Sequence, residues 1–190
     1  MSNTFSYPDL ISDFEVALNR INDFREIPDD LFYLKPDPKA WSASEVFKHI
    51  IKFNEIYIQQ LEQVAGKKSY PKTERQNFKP GFISRLLIRF MEPPYKVKIP
   101  TLSPMYPEEF THEDSKETFE ELSKSNRSVI QIIEKLRESN ADLDKLKGRH
   151  PLVRFFPMSV TELVLITGAH QRRHFWQAEQ TLYRLSGTRY

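Results

Sequence analysis

Four stretches of the chain repeat their apolar residues at intervals of three and four, which is the period of an amphipathic helix. These stretches cover about residues 7–26, 42–65, 113–139 and 159–185. Two of them open with a capping box, Ser42-Ala43-Ser44-Glu45 and Ser159-Val160-Thr161-Glu162, which marks the first turn of a helix. Because no series of strands lies between them, the pattern predicts an all-α protein built as a four-helix bundle.

The segment between the second and third predicted helices, residues 67–110, has a different composition. Prolines at positions 71, 80, 93, 94, 100, 104 and 107 interrupt it, so that only Phe82 to Met91 can form a helix. We expect a long Pro-rich crossover that closes over one end of the bundle. The side of its short helix that carries Phe82, Leu86 and Phe90 is expected to face the protein, which would make the segment a substrate-selecting lid.

The same segment is basic. Between residues 67 and 98 it holds nine basic residues, Lys67, Lys68, Lys72, Arg75, Lys79, Arg85, Arg89, Lys96 and Lys98, against two acidic ones. Such an excess can attract an anionic substrate, a phosphate or a lipid headgroup, although a solvated surface loop is the simpler interpretation. The alternative to the lid hypothesis is that the basic helix attaches to a membrane surface. Salt-sensitive sedimentation with anionic vesicles would favour the membrane and count against the lid.

Length and composition narrow the class of protein. A chain of 190 residues with 39% hydrophobic residues suits a single domain over residues 1–190. The net charge of +2 gives no argument for a nucleic-acid partner. Cysteine is absent, which excludes disulfides, thiolate ligands and a cysteine nucleophile. Without a signal-like N-terminal stretch or an apolar window of transmembrane length, we expect a cytoplasmic protein with no membrane partner.

Candidate chemistry lies in the last predicted helix. His170 and His174 are one turn apart, about 40° from each other in projection, so their side chains can converge on one metal ion. Both fall on the apolar stripe of this helix, while Arg172 and Arg173 project away from it. The alternative is a pair of core histidines whose nitrogens are satisfied by backbone carbonyls, or by the hydroxyls of Thr167 and Thr181.

A third histidine, His49, lies beside the apolar stripe of the second predicted helix and is the candidate third ligand. With suitable stagger of the two helices, all three imidazoles can lie at one level. His112 and His150 precede a helix and a proline, and we interpret both as loop residues. Metal occupancy is expected to fall below about pH 6, because ligation requires neutral imidazole.

The order of these elements resembles the DinB/YfiT-like superfamily. The matching residues are Trp41-Ser42, Glu45-Val46, His49-Ile50, Phe53-Asn54 and Tyr57, then His150-Pro151, and finally His170-Gln171-Arg172-Arg173-His174 with Trp176-Gln177. The resemblance covers nearly the whole chain. It implies a four-helix bundle in which His49, His170 and His174 bind a divalent metal with open water positions, most simply zinc or nickel. The basic Pro-rich segment departs from the family pattern.

The resemblance also implies an activity. Relatives look like hydrolases, or like transferases that activate a low-molecular-weight thiol on the metal, which lowers the pKa of bound water or thiol. No general base stands out in the sequence, so the catalytic group is expected to be the metal-bound water or thiol. Glu45 and Gln177 are candidates for contacts behind the ligands, although Glu45 is equally explained as the capping partner of Ser42.

Two classes of function therefore stay open. The first is a metal-dependent hydrolase or thiol S-transferase that acts on a small molecule, such as a low-molecular-weight thiol. For this class we expect a homodimer as one form of assembly, no nucleic-acid partner, and no cofactor besides the divalent metal ion. The second is a non-catalytic helical binding or stress-response module, in which the metal site is structural or vacant.

Overall fold

The computed structural model of the chain describes residues 4–95, 101, 105–107, 115–150 and 156–188. In chain order its elements are α1 (Tyr7–Phe24), α2 (Asp29–Tyr33), α3 (Ala43–Ala65), α4 (Phe82–Met91), α5 (Ser115–Glu138), β1 (Lys147–Arg149), β2 (Pro157–Ser159) and α6 (Val160–Ser186). The two strands form one short antiparallel ribbon. The predicted all-α four-helix bundle, with a Pro-rich crossover between its second and third long helices, is confirmed.

The long helices begin and end within about two residues of the predicted bounds. Local capping explains the agreement: the hydroxyl oxygens of Ser42 and Ser159 accept hydrogen bonds from the backbone N–H of Glu45 and Glu162 at 3.2 Å each. The predicted helix start at Glu113 or Asp114, together with His112, lies outside the described residues.

The connection between α1 and α3 is not entirely irregular. It contains the five-residue helix α2, whose Phe32 is buried against Phe47 and Phe119 at ring-centroid distances of 5.5 and 5.0 Å. A helix of five residues with one buried side chain has too little apolar period to be detected in a sequence.

Helix α6 is more deeply buried than an amphipathic helix at a surface. Every residue from Val160 to Gln171 is buried, because α1, α3 and α4 all pack against this helix. The expectation that Arg173 projects away from the core is wrong, since its side chain is only 6% exposed. The charge of Arg172 is covered as well, by ion pairs with Asp13 and Glu92.

The apolar core consists of two clusters, and each draws residues from all four long helices. Between the clusters, α3, α5 and α6 carry buried polar residues: His49, Asn54, Ser125, Asn126, His170, Gln171 and His174. Hydrogen bonds connect neighbouring helices in this polar layer, from Asn54 Nδ2 to Ser125 Oγ and from Asn126 Nδ2 to Gln171 Oε1, both at 3.0 Å. The three histidines therefore lie inside the bundle, at the junction of the two clusters.

The predicted orientation of the short helix α4 is wrong. Phe82, Leu86 and Phe90, which were expected to face the protein, are 73%, 45% and 50% exposed. The opposite side of the helix, which carries Ile88 and Met91, is buried. The helix is thus turned so that its most apolar side faces away from the bundle.

Polar contacts with α6 explain this orientation. Glu162 Oε1 accepts hydrogen bonds from the backbone N–H of Gly81 at 3.0 Å and from the hydroxyl of Ser84 at 2.8 Å. At the other end of α4, Glu92 pairs with Arg172. Both ends of α4 are therefore attached to α6 by charged groups, and these contacts select the face that packs.

No described helix combines the length and the hydropathy needed to cross a bilayer.

Candidate metal centre

The three predicted histidines meet in the polar layer between α3 and α6. Each offers a ring nitrogen, and these nitrogens lie within 4.8 Å of one another. His49 lies two turns into α3, while His170 and His174 occupy successive turns of α6. All three are buried, so the cluster is held by rigid elements on both sides. This arrangement fits a metal-binding site; the metal ligation of these residues stays a prediction.

The ring of His49 is held by a residue that the sequence did not suggest. Its Nδ1 lies 2.7 Å from the backbone carbonyl oxygen of Met105. Because a carbonyl oxygen only accepts, Nδ1 carries the hydrogen and Nε2 keeps the lone pair. That Nε2 lies 3.2 Å from Nε2 of His170. A lone-pair nitrogen of His49 is therefore directed into the cluster.

His174 repeats the arrangement with a side-chain partner. Its Nδ1 lies 2.9 Å from the amide oxygen of Gln177, three residues later on α6. The amide oxygen accepts the Nδ1 hydrogen, which leaves Nε2 of His174 as the nitrogen with the lone pair. Contacts of this kind behind a ligand fix the tautomer and the orientation of a metal-binding imidazole.

His170 is held mainly by aromatic packing. Its ring stacks on Phe53 with a centroid distance of 3.5 Å and an interplanar angle of 7°, and Phe53 in turn stacks on Tyr57 at 4.3 Å. Its Nδ1 is buried and has no hydrogen-bond partner among the described residues. A buried nitrogen left without a hydrogen bond costs free energy.

Burial also sets the protonation state. It lowers the pKa of His49, and the hydrogen bond to Met105 opposes that effect only in part. Burial, together with the charges of His174, His49 and Arg173, lowers the pKa of His170 well below its ordinary value. Burial and the charge of His49 lower the pKa of His174 to about 3. All three imidazoles are therefore neutral at pH 7, the form that binds metal.

The alternative of ordinary core histidines is realised only in part. A backbone carbonyl does satisfy one nitrogen of His49, but the hydroxyl of Thr167 donates to the carbonyl of Leu163 at 2.8 Å. Three converging neutral imidazoles can hold a divalent ion, and imidazole is a good ligand for zinc or nickel. The identity of the ion does not follow from these contacts.

A cavity of about 640 Å³ opens beside the cluster, and all three histidines line it. Aromatic side chains form much of its wall, namely Trp41, Phe53, Tyr57 and Tyr95. Leu87 and Met91 of α4 and Met105 also line it, so the Pro-rich segment does contribute to the cavity. A volume of this size is typical of small-molecule sites.

The remaining candidate residues lie outside the cluster. The carboxylate of Glu45 accepts from the backbone N–H of Ser42 at 2.9 Å and pairs with Lys35 at 2.7 Å, so it caps α3 and is not the contact behind His49. His150 lines the cavity 6.4 Å from the ring of Tyr57, and burial lowers its pKa.

Sequence reasoning missed Met105, Tyr95 and Arg173 as parts of this site. Met105 and Tyr95 belong to the irregular crossover, where no period indicates which groups point inward. Arg173 had a signal, since it lies between the two histidines of α6, but helical projection placed it away from the core.

The chain is similar in sequence to a known protein family. A sequence model described as the DinB superfamily matches residues 14–178, which is most of the chain and includes all three histidines. No curated protein matches it significantly.

Proposed function

The chain belongs to the DinB superfamily, and from this premise we propose that it is a metal-dependent enzyme that acts on a small molecule. In this proposal His49, His170 and His174 hold one divalent ion, zinc or nickel. The observation that carries the proposal is the pair of hydrogen bonds at Nδ1 of His49 and His174, which leaves Nε2 of each ring as the lone-pair nitrogen of a buried cluster.

The donor set suits catalysis better than structure. Three protein ligands leave a coordination position for solvent or substrate, as in catalytic zinc sites, whereas structural sites use four. A divalent ion bound here supplies Lewis acidity, which lowers the pKa of water or of a thiol toward neutrality. Such chemistry requires no nucleophile from the protein, in keeping with a chain that has no cysteine.

The chain's own residues have the supporting roles. The carbonyl of Met105 and the amide of Gln177 keep the Nδ1 hydrogens in place, and Phe53 holds the ring of His170. Aromatic walls exclude water and suit the apolar part of a substrate. The two reactions that we propose are hydrolysis and the transfer of a low-molecular-weight thiol.

The test combines metal analysis with turnover. The full chain is stripped with EDTA and then equilibrated with zinc or nickel at pH 7.5. It should retain about one ion per chain, as measured by inductively coupled plasma mass spectrometry. Hydrolysis is assayed with p-nitrophenyl esters, and thiol transfer with cysteine and 1-chloro-2,4-dinitrobenzene. Activity in either assay should disappear with EDTA and return with metal.

Failure has two forms. If the protein took up neither ion, the three-histidine site would be wrong. If it bound one ion but turned over no compound of either class, the non-catalytic binding module with a structural metal would be the better account.

A further inference from the structure

The cavity beside the histidines carries an uneven distribution of charge. Among the described residues that line it, Lys39, Arg173 and Arg184 are cationic, whereas Asp37 carries the only carboxylate. This carboxylate lies 4.0 Å from Arg184 and compensates part of that charge. A divalent ion at the histidines would add to the positive potential. A cavity lined in this way attracts anions.

Arg173 is the buried member of this set. Its guanidinium carbon lies 3.5 Å from the ring centroid of Tyr95, and Nη1 donates to the backbone carbonyl of Phe90 at 3.4 Å. These contacts hold the planar group in one orientation at the wall of the cavity. A guanidinium held in this way loses little further freedom when it binds a ligand.

The position of Arg173 links it to the metal centre. It lies between His170 and His174 on α6, and its charge contributes to the lowered pKa of both rings. Its neighbour Arg172 forms ion pairs with Asp13 and Glu92 and is not among the described residues that line the cavity. Of the two consecutive arginines, one joins helices of the bundle and the other lines the cavity.

We propose that the cavity binds an anionic small molecule, and that Arg173 holds its carboxylate or phosphate group while the reacting group lies at the three histidines. This inference rests on the proposed function and names the class of its substrate. The guanidinium fork matches the two oxygens of such a group, and Lys39 and Arg184 provide the attracting field. The aromatic walls accommodate the apolar remainder of the molecule.

Binding of three simple probes tests the inference without any turnover. Benzoate and phenyl phosphate carry the two oxyanions, and benzamide is the neutral analogue of benzoate. Isothermal titration of the full chain, both as purified and after EDTA treatment, should show both anions binding at least about tenfold more tightly than benzamide. Arg173→Gln should weaken the anions by roughly ten- to a hundredfold and leave benzamide unchanged.

Arg137→Gln is the matched control, because it removes the same charge from an exposed position on α5 outside the cavity. It should leave the affinity for all three probes unchanged. If Arg173→Gln proves unfolded by circular dichroism, the double variant Lys39→Gln/Arg184→Gln takes its place and should weaken both anions severalfold.

Anions that bind no better than benzamide, or anion binding that survives Arg173→Gln, would overturn the inference. Anion binding that requires the metal ion but not Arg173 would show that the anion binds the metal, and this result would also overturn the inference. The metal content of each sample is measured alongside. Anion binding should persist after EDTA treatment. Failure of the metal site is thereby distinguished from failure of the anion site.

Discussion

Two regions of the molecule depart from ordinary burial in opposite directions. One is the polar layer between α3, α5 and α6, and the other is the outer face of α4. The layer places three imidazoles and three amides inside the bundle, whereas α4 leaves Phe82, Ile83, Leu86 and Phe90 exposed. A buried polar group costs several kcal/mol unless its atoms find partners. An exposed apolar side chain costs the folded state little, because it is equally exposed in the unfolded chain.

The two departures therefore carry different information. In the polar layer, Oδ1 of Asn54 and of Asn126 and Nδ1 of His170 are buried without a hydrogen-bond partner among the described residues. Such a cost points to a functional reason for the layer, and the histidine cluster within it fits a metal-binding site. The exposed face of α4 is a consequence of how Glu162 and Arg172 anchor the other side of that helix.

The largest effect should follow from deletion of the imidazoles. His49→Ala, His170→Ala and His174→Ala each remove one of three ligands, so zinc content after dialysis should fall from about one ion per chain to nearly none. Leu86→Ala on the outer face of α4 and His150→Ala, which removes a histidine outside the cluster, should both retain the ion. Full metal in all three cluster variants would show that the polar layer is not a metal site.

The second prediction concerns stability in the absence of metal. Burial keeps the cluster neutral in the folded state, with the pKa of His174 lowered to about 3, while unfolded histidines titrate near 6.5. Below about pH 6.5 only the unfolded state takes up these protons. The free energy of unfolding should therefore decrease as the pH is lowered below about 6.5. The decrease should be at most about 1.4 kcal/mol per pH unit for each histidine.

Urea denaturation in EDTA at pH 7.5, 6.0 and 5.0 measures this slope, and His174→Gln should reduce it. Stability that rose between pH 7.5 and 5.0 would contradict the burial of neutral rings. Metal loss below about pH 6 stays a prediction. The lowered pKa values of the three histidines favour an onset of proton competition at a lower pH.

The smallest expected effect is on the free energy of unfolding, and it concerns two aliphatic residues on opposite sides of α4. Ile88 is 8% exposed and Leu86 is 45% exposed. Ile88→Ala should lower the free energy of unfolding by about 2–3 kcal/mol, and Leu86→Ala by less than about 1 kcal/mol, because only the first leaves a cavity in packed surroundings. The reverse order would mean that α4 packs through the face predicted from the sequence.

The sequence by itself determined the long helices, for a local reason. A capping box acts within four residues, as at Ser42 and Ser159, and an apolar stripe is a property of one helix. The same local information placed His170 and His174 together, since they share a helix, and set His49 beside the stripe of another. The family resemblance rested on these residues, and it is confirmed by the match over residues 14–178.

Tertiary structure alone decided which other groups complete the site. The carbonyl of Met105 reaches His49 from 56 residues away, out of a segment without any period. The burial of Arg173 and the orientation of α4 depend on contacts between helices, through Glu162, Arg172 and Tyr95. Periodicity within a helix reports how much apolar surface each face offers. Which face is finally covered depends on ion pairs and hydrogen bonds with partners that are remote in the chain, and these outweighed the apolar preference of α4.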